Sequence, residues 1–262
     1  MDWRIYDREY LLRGLRNSAP HQKLDPPSFG ETLLLGFFDL MMICLVAVFW
    51  LISKIPILDS LLETSVRTFS RGGLGFFLRG AYYKNKLKRM GKNVLIDLGA
   101  VFWFPENVEI DDYAHIDMNT IISGGGKGYG YVRIGKYVHV SHGCYVAGRG
   151  GVEIQDYAGI AGGSSIYSAS NYYKDPTRPG AWITTSSAAP AHEQYVVEKP
   201  VVIERNAFIG LQCVILPGVR IGHDSVIGAN SLVVKDVPPL SIAVGSPVRV
   251  VSKREFSQPQ EL

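Results

Sequence analysis

Cysteine is scarce in this sequence, and neither sign of charge is in large excess. The 262 residues include three cysteines, Cys44, Cys144 and Cys213, which lie far apart and form no Cys-x-x-Cys pair. A disulfide framework or a zinc ribbon is therefore excluded, and the composition suits a reducing compartment. The net charge of +3 is too small to indicate nucleic-acid binding, and no strongly basic segment with interspersed aromatic residues is present.

Extended polar or low-complexity tracts are also absent. Hydrophobic residues make up 47% of the chain and charged residues 19%, which excludes a mainly disordered protein. The 28 glycines follow no Gly-X-Y period, which excludes a collagen-like chain. The length is sufficient for one large domain or two small ones.

One long apolar run lies near the N-terminus. Residues 33–52 read LLLGFFDLMMICLVAVFWLI and carry a single charge, Asp39. As a helix this run is roughly 30 Å long, about the thickness of the bilayer interior. It begins too late for a cleaved signal peptide. Residues 54–92 hold nine Lys or Arg against two acidic residues, so the positive-inside tendency predicts that the chain after Lys54 lies at the cytoplasmic face of the inner (plasma) membrane.

How this segment meets the membrane is left open by the sequence. A single crossing and a re-entrant hairpin with both ends in the cytoplasm are both compatible with its length. Beyond Pro56, apolar residues recur at helical spacing up to Val66, which is typical of an amphipathic helix on the membrane surface. The fourth interpretation is a buried core helix. We predict that residues 1–93 form a helical, membrane-associating region.

The second part of the chain contains a six-residue repeat. Aliphatic residues recur every six positions, in places with short insertions, and the last six follow one another without a slip. They are Ile110, Ile116, Ile122, Ile134, Val140, Val146, Ile154, Ile160, Ile166, Ile203, Ile209, Ile215, Ile221, Ile227 and Val233. A period of six indicates a short strand and a tight corner, with three hexads per triangular coil, so that stacked coils bury an aliphatic column.

Interruptions of the repeat mark loops. Two extra residues enter near Gly150 and Gly151, and residues 168–200 contain no hexad. Long loops that leave a rigid scaffold are often functional. Because three hexads and the two extra residues separate them, Val146 is predicted to stack against Ile166.

Residues 94–252 resemble the hexapeptide-repeat acyltransferases. The resemblance is most specific in VVIERNAFIGLQCVILPGVRIGHDSVIGANSLVVKDVPPLSIAVGSPVRVV, and the pattern is most similar to the sugar and xenobiotic O-acetyltransferase branch. It implies a mainly β fold, a left-handed parallel β-helix, with loop 168–200 and a tail at 253–262. It also implies a homotrimer that binds acetyl-CoA in a groove between neighbouring subunits.

Acetyl transfer to a hydroxyl requires a base, for which histidine is the usual residue. In the family the catalytic histidine begins the long loop, five residues after the inward aliphatic residue, and that position here is Asn171. The base is therefore expected elsewhere. His139 and His142 flank Val140, while His192 lies in the long loop. All three are candidates, and Asn171 is expected to orient the substrate or polarise the carbonyl group.

The resemblance also assigns residues to CoA. Those expected to bind CoA are Gly210, Leu211, Ala229, Val234, Lys235, Arg249 and Lys253. Aromatic rings stack on sugars, and the loop residues expected to bind the acceptor are Tyr172, Tyr173 and Trp182.

Together these observations predict an acetyl-CoA-dependent O-acetyltransferase that modifies a membrane-bound or lipid-linked saccharide, such as a surface-polysaccharide or O-antigen precursor. No metal and no nucleic acid are expected. The alternatives are an N-acyltransferase acting on an amino-sugar nucleotide and a non-catalytic trimeric scaffold. A zinc site of the carbonic anhydrase kind would use His139 and His142, but its third ligand is unassigned.

Overall fold

The computed structural model describes residues 5–16, 23–69 and 72–255. Four helices precede the repeats: α1 (Arg8–Leu15), α2 (Phe29–Ile52), α3 (Pro56–Thr68) and α4 (Gly72–Lys84). Ser28 starts α2 with a reciprocal capping box, in which its hydroxyl accepts from the Glu31 amide and the Glu31 carboxylate accepts from the Ser28 amide. Pro56 starts α3 at a position where a missing amide hydrogen has no cost.

Short strands follow in groups of three, and each group forms one coil. The strands are β1 (Arg89–Met90), β2 (Leu95–Ile96), β3 (Val101–Trp103), β4 (Val108–Ile110), β5 (His115–Ile116), β6 (Ile121–Ser123), β7 (Val132–Ile134), β8 (His139–Val140), β9 (Tyr145–Ala147), β10 (Val152–Ile154), β11 (Gly159–Ile160), β12 (Ser165–Tyr167), β13 (Ala169–Asn171), β14 (Val196–Glu198), β15 (Val201–Ile203), β16 (Phe208–Ile209), β17 (Val214–Ile215), β18 (Arg220–Ile221), β19 (Val226–Ile227), β20 (Leu232–Val233), β21 (Ser241–Val244) and β22 (Arg249–Lys253). Two 3-10 helices lie at Pro105–Asn107 and Ala191–Glu193.

The coils stack into a three-sided β-helix. Face 1 has the strand order β1-β4-β7-β10-β15-β18, face 2 has β2-β5-β8-β11-β16-β19-β21-β22, and face 3 has β3-β6-β9-β12-β17-β20. All neighbours on these faces pair in parallel except β21 and β22, which are antiparallel. The parallel β-helix predicted from the repeat is confirmed.

The inward column lies where the hexad period puts it. Every repeat aliphatic from Ile110 to Val233 is at most 1% exposed. The register pairs Ile166 with Val146 on one side and with Ile215 on the other, so the column continues across the long loop. The predicted stacking of Val146 against Ile166 is therefore confirmed.

Burial in this column predicts which substitutions lower the free energy of unfolding. Ile134 is buried, while Arg133 on the same strand points outward and pairs with Glu109 at 3.7 Å on the surface. We expect Ile134→Ala to lower the free energy of unfolding by about 2–5 kcal/mol. Arg133→Ala should lower it by about 1 kcal/mol or less, because exposed ion pairs contribute little. Chemical denaturation of both variants measures the difference, and equal losses would contradict the assigned column.

Helix α4 covers the open end of the first coil. Tyr82 and Tyr83 are almost fully buried, and the Tyr83 ring lies 4.7 Å from that of Phe102 in β3. The buried Arg79 donates to the carbonyl of Ile96 at 2.7 Å. The helical region is thereby joined to the β-helix through side chains from both.

The strands begin and end slightly outside the boundaries expected from the sequence. Strand β1 starts at Arg89, five residues before residue 94, and pairs with β4. Lys253, assigned to the tail, is the last residue of β22. Repeat periodicity misses β1 because Met90 is not one of the aliphatic residues that define the hexads. Residues 256–262 of the predicted tail lie outside the described residues, as do parts of the region 1–93.

Helix α2 is long and apolar enough to cross a membrane, and it is mostly uncovered. Its buried residues, Leu35, Met42, Val46 and Phe49, form one stripe, and only 22% of its most apolar 18-residue window is buried. A core helix of a soluble protein would be buried over much more of its surface. The described structure therefore leaves a broad apolar face of α2 open.

Candidate active site

The turns that join face 2 to face 3, here called the second corner, differ in a regular way along the molecule. The hexads that form them read LIDLGA, HIDMNT, HVSHGC, GIAGGS, FIGLQC and VIGANS. The residue after the inward aliphatic changes from Asp97 and Asp117 in the first two coils to Ser141 and then to Ala or Gly. The carboxylates and histidines of these hexads therefore all lie in the first three coils of this corner.

Asp117 is the centre of this polar group. Its Oδ2 lies 3.7 Å from Nε2 of His139 and 4.0 Å from Nδ1 of His142. The rings of His115 and His139 stack with their centroids 5.0 Å apart. Asp97 lies on the preceding coil, 4.0 Å from Nε2 of His115. Three histidines from two hexads therefore meet around one carboxylate, and we call His115, His139, His142, Asp97 and Asp117 the His/Asp cluster.

His142 is the member that reaches along the corner toward the later coils. Its Nδ1 is 3.2 Å from the Ser141 hydroxyl, which lies 3.5 Å from Asp117 Oδ2. Its ring lies over Gly162 of the next coil, where an added Cβ would be 2.7 Å from Cε1 and Nε2. The chain Asp117–Ser141–His142 orients the imidazole and leaves Nε2 without a protein partner among the described residues. This is the arrangement expected of a general base held by a third group.

The charges in the cluster are coupled. Burial lowers the pKa of His115, and the neighbouring His139 lowers it further. Burial acts to raise the pKa of Asp117, but the hydrogen bond from the Met118 amide and the three histidines outweigh it, so the pKa of Asp117 is lowered. The carboxylate is therefore ionised and His115 is neutral near neutral pH.

These shifts predict how stability depends on pH. His115 has an ordinary pKa of 6.5, which is lowered in the folded chain. Below that pH the unfolded chain binds more protons than the folded chain, so the free energy of unfolding falls as the pH falls. We expect His115→Asn to flatten this decline between about pH 7 and about pH 5. Urea denaturation at several pH values measures the slope, and an unchanged slope in the variant would contradict the assignment.

Unpaired backbone amides continue the second corner beyond His142. In the first two coils the amides of Leu98 and Met118 donate to Asp97 and Asp117 at 2.7 Å. The equivalent amides of Gly162, Leu211 and Ala229 donate to no acceptor among the described residues. Successive coils place them roughly 4.8 Å apart in a row. A row of free donors is suited to an extended ligand that carries carbonyl groups.

The residues predicted to bind CoA do not all lie together. Gly210, Leu211 and Ala229 are neighbours at the second corner, and a Cβ on Gly210 would be 2.6 Å from the Ala229 amide nitrogen. Arg249 belongs to the same end of face 2, since it pairs with Val244, whose side chain approaches Gly228.

The other predicted CoA ligands lie elsewhere on the same chain. Val234 and Lys235 follow β20 and lie where face 3 turns back toward face 1, at the third corner. Lys253 pairs with Ser241 at the opposite end of β21. Within one subunit these three residues are separated from the second corner by the width of a face.

The long loop also leaves from the third corner. Its strands β13 and β14 pair with each other, with Asn171 opposite Val196. The Asn171 amide donates to the Thr185 carbonyl at 2.8 Å and so holds the loop together. The His192 side chain is 80% exposed, and its Nε2 lies 3.7 Å from the Glu193 carboxylate. Neither residue joins the His/Asp cluster of its own chain.

A cavity of about 580 Å³ lies within this loop. Tyr172 and Tyr173 line it, with their ring centroids 4.6 Å apart, and Lys174 and Lys199 contribute positive charge. Trp182 is 76% exposed and is not among the residues that line this cavity. The volume falls in the range typical of small-molecule sites.

In the part of the chain that the structure describes, His139 and His142 do not belong to any group of three side chains with metal-ligand spacing. Among the described residues one group has metal-ligand spacing: Asp97, His115 and Asp117, whose ligand atoms lie within 4.8 Å of one another. The two histidines of the zinc interpretation are not in it. The donors present are two carboxylates and one imidazole, which differ from the three histidines that this interpretation requires.

Comparisons with known proteins agree with the β-helix fold. A sequence model of the hexapeptide repeat of succinyl-transferase matches residues 200–235. The dTDP-4-amino-4,6-dideoxy-D-glucose acyltransferase of Escherichia coli is 30% identical over 167 residues, which are 64% of this chain and 82% of that protein. The chain belongs to the hexapeptide-repeat acyltransferase family. The branch is not decided by these matches.

Solved structures of this family include related ligand complexes. AntD, an N-acyltransferase from Bacillus cereus, is 29% identical, with a TM-score of 0.59 over 66% of this chain and 87% of that one. A point variant of AntD was crystallised with dTDP-4-amino-4,6-dideoxyglucose and coenzyme A. A maltose O-acetyltransferase from Clostridium difficile 630, at 22% identity and a TM-score of 0.51 over 79% of this chain and 89% of that one, shares the fold.

Sequence reasoning missed the acidic part of the cluster. His139 and His142 were found because they flank one inward residue, but Asp117, Asp97 and His115 come from two other hexads. The signal was present in the sequence, since writing the six second-corner hexads beneath one another aligns Asp117 with Ser141 and His115 with His139.

Proposed function

We propose that this acyltransferase moves an acetyl group from acetyl-CoA to a hydroxyl of a saccharide, with His142 as the base. The observation that carries the proposal is one continuous corner: His142, held through Ser141 and Asp117, lies over Gly162, where the row of unpaired amides begins. A base and an extended donor row are the two elements that thioester chemistry needs.

The donor lies along the second corner in this proposal. The amides of Leu211 and Ala229 bind the carbonyl groups of the pantetheine arm, and Arg249 lies at the same end of the face for the phosphates. The thioester then lies at Gly162. The unpaired Gly162 amide donates to the carbonyl oxygen as negative charge develops on it, which lowers the barrier to attack.

The transfer step follows from these positions. His142 Nε2 accepts the proton of the acceptor hydroxyl as its oxygen forms a bond to the thioester carbon. The tetrahedral intermediate collapses, the carbon–sulfur bond breaks, and the proton passes to the departing CoA sulfur. Asp117 stabilises the positively charged imidazole during this sequence, since its carboxylate is 4.0 Å from His142 Nδ1.

A homotrimer completes the site in this proposal. The loop cavity and His192 lie on the third corner, and the His/Asp cluster lies on the second corner. In a trimer the loop of one chain lies against the second corner of its neighbour, so Tyr172 and Tyr173 stack on the acceptor sugar there. Val234 and Lys235 on the third corner reach the CoA of the neighbouring chain in the same way.

Transfer to an amine is the second candidate. It is favoured by two relatives, the acyltransferase of Escherichia coli that is named for an amino-sugar nucleotide and the N-acyltransferase AntD, a variant of which was crystallised with such a nucleotide. The same base serves both reactions, because an attacking amine also loses a proton.

The helical region attaches the enzyme to the cytoplasmic surface of the membrane in this proposal. Asp39 lies at the eleventh position of the 24-residue α2, and its carboxylate pairs with Arg8 of α1 at 3.0 Å. In a single crossing this charged pair, with α1 beside it, would lie near mid-bilayer, which is costly. A helix lying in the interface keeps the pair at headgroup depth and buries the open apolar face.

The products distinguish the two candidates. Membranes that contain the enzyme are incubated with radiolabelled acetyl-CoA and either total lipid-linked saccharides or dTDP-4-amino-4,6-dideoxyglucose. We expect label in a saccharide product that is released by mild alkali, as an ester is. An alkali-stable product formed only from the amino sugar would establish the N-acyltransferase. Label in neither product, with acetyl-CoA bound, would contradict both.

A further inference from the structure

An apolar groove of about 550 Å³ lies between α1, α2 and α4. The thirteen residues that line it are leucines, aromatic residues, one methionine and one glycine, and none carries a formal charge. Two tyrosines line it: the Tyr6 hydroxyl donates to the Phe76 carbonyl at 3.2 Å, and among the described residues neither hydroxyl is a buried polar atom that lacks a partner. A groove with this composition and volume is suited to a hydrocarbon ligand, because no buried polar group in it needs a partner.

One side of the groove opens on the apolar face of α2. Leu34, Phe37 and Met41 line the groove and are also 42–66% exposed. Leu33 and Leu40, outside the groove, continue the same uncovered surface. Exposed apolar surface on this scale marks contact with a membrane or another apolar partner. A chain in the bilayer can therefore enter the groove sideways without crossing a polar rim.

One residue of the groove, Leu95, adjoins the His/Asp cluster. Leu95 lines the groove and is the outward residue of β2, and its register partner on β5 is His115. His115 in turn stacks on His139. Adjacent coils are roughly 4.8 Å apart, so a ligand that leaves the groove at Leu95 is one coil from His115 and two from His139.

We infer that this groove binds the hydrocarbon tail of the acceptor, so that the saccharide attached to the tail is placed at the His/Asp cluster. This rests on the proposed function and specifies its substrate class as an amphiphile, with a saccharide head on a long hydrocarbon chain. Along face 2 and its second corner, the hydrocarbon tail of the acceptor then comes first, followed by its saccharide, the base His142 and finally CoA. The donor and the acceptor approach His142 from opposite ends of the β-helix.

The test uses a dodecyl glucoside with a diazirine at the end of its chain, and the full-length enzyme in lipid nanodiscs. After irradiation, labelled peptides are identified by mass spectrometry. We expect labelling of α1, of the groove side of α2 and of residues 73–77. Leu34→Glu, inside the groove, should reduce this labelling at least tenfold. Leu33→Glu is the matched control: it places the same charge on the same apolar face, outside the groove, so both variants lose similar membrane contact and only Leu34→Glu charges the groove.

Leu95→Trp narrows the exit beside His115 and gives a second readout. It should reduce acetyl transfer to a lipid-linked acceptor at least tenfold and leave acetyl-CoA affinity unchanged by calorimetry. Uniform labelling of the helices, or equal effects of Leu33→Glu and Leu34→Glu, would overturn the inference. So would displacement of the probe by palmitoyl-CoA, which would assign the groove to the acyl donor. Groove labelling without acetyl-CoA binding would overturn the proposed function instead.

Discussion

His142→Ala is expected to reduce acetyl transfer by about 10²–10⁴-fold, the range that removal of a general base produces. Acetyl-CoA affinity should change little, since the donor row begins at Gly162 and runs away from the imidazole. Stability should also change little, because the His142 side chain is 65% exposed. Steady-state rates with saturating acetyl-CoA measure the effect. His192→Ala is the matched comparison, and a larger loss from that variant would assign the base to the loop.

Gly162→Ala tests the position of the same imidazole without removing it. The added Cβ would lie 2.7 Å from the His142 ring, and its three nearest atoms all belong to that ring, so the ring must move while the coil is kept. When His142 is present, we expect Gly162→Ala to lower the rate of acetyl transfer roughly tenfold or more. In the His142→Ala background the same substitution should have almost no further effect, since its target is absent. Additive losses in the two backgrounds would contradict the assigned geometry.

Three charges on the open face of α2 are expected to release the enzyme from the membrane. Leu33, Leu40 and Leu51 are each 60–61% exposed and lie outside the groove. Burial of one leucine contributes about 1.5–3 kcal/mol. The variant Leu33→Glu, Leu40→Glu, Leu51→Glu should therefore lower the membrane-bound fraction at least about a hundredfold. Flotation of the protein with liposomes measures this fraction.

The control places charges on exposed apolar residues at the other end of the molecule. Val250 and Val251 of β22 are 50% and 60% exposed. Val250→Glu and Val251→Glu together should leave the protein on the liposomes. If the α2 variant stays bound after washing in high salt, the apolar face does not hold the enzyme to the membrane. The triple α2 variant could leave the membrane because it is unfolded, which the loss of a cooperative unfolding transition would show. In that case the single variant Leu51→Glu, tested in the same way, separates release from unfolding.

The β-helix was predictable because its information is local and repeated. The six-residue spacing of aliphatic residues is sufficient to place Ile134 or Ile166 in the inward column. An insertion is visible in the sequence because it shifts the positions at which the next aliphatic residues occur. The packing of the helical region has no such period. That Arg79 meets Ile96, or that α1 lies against α2 through Arg8 and Asp39, depends on contacts between segments distant in the chain.

The candidate site was only partly predictable for the same reason. A corner collects one residue from each coil, so its members are about twenty residues apart in the sequence, as Asp97 and Asp117 are. The histidines His139 and His142 were visible because they share a hexad. The family pattern points to Asn171 by its position alone, and the hydrogen bond from its side chain to the Thr185 carbonyl depends on how the loop folds. Lys253 and Arg249 lie at opposite ends of β22, which runs antiparallel to β21. The hexad repeat does not predict this strand, because it lies beyond the last hexad.

The central claim is that acetyl-CoA lies along the second corner and ends at His142. Calorimetric titration of the detergent-purified enzyme with acetyl-CoA tests it most directly when paired with Ala229→Trp, which places a large ring on the exposed donor row. We expect about one site per chain for the natural sequence and no measurable binding for the variant, with both proteins unfolding at the same temperature. Equal binding by the two proteins, or no binding by either, would contradict it.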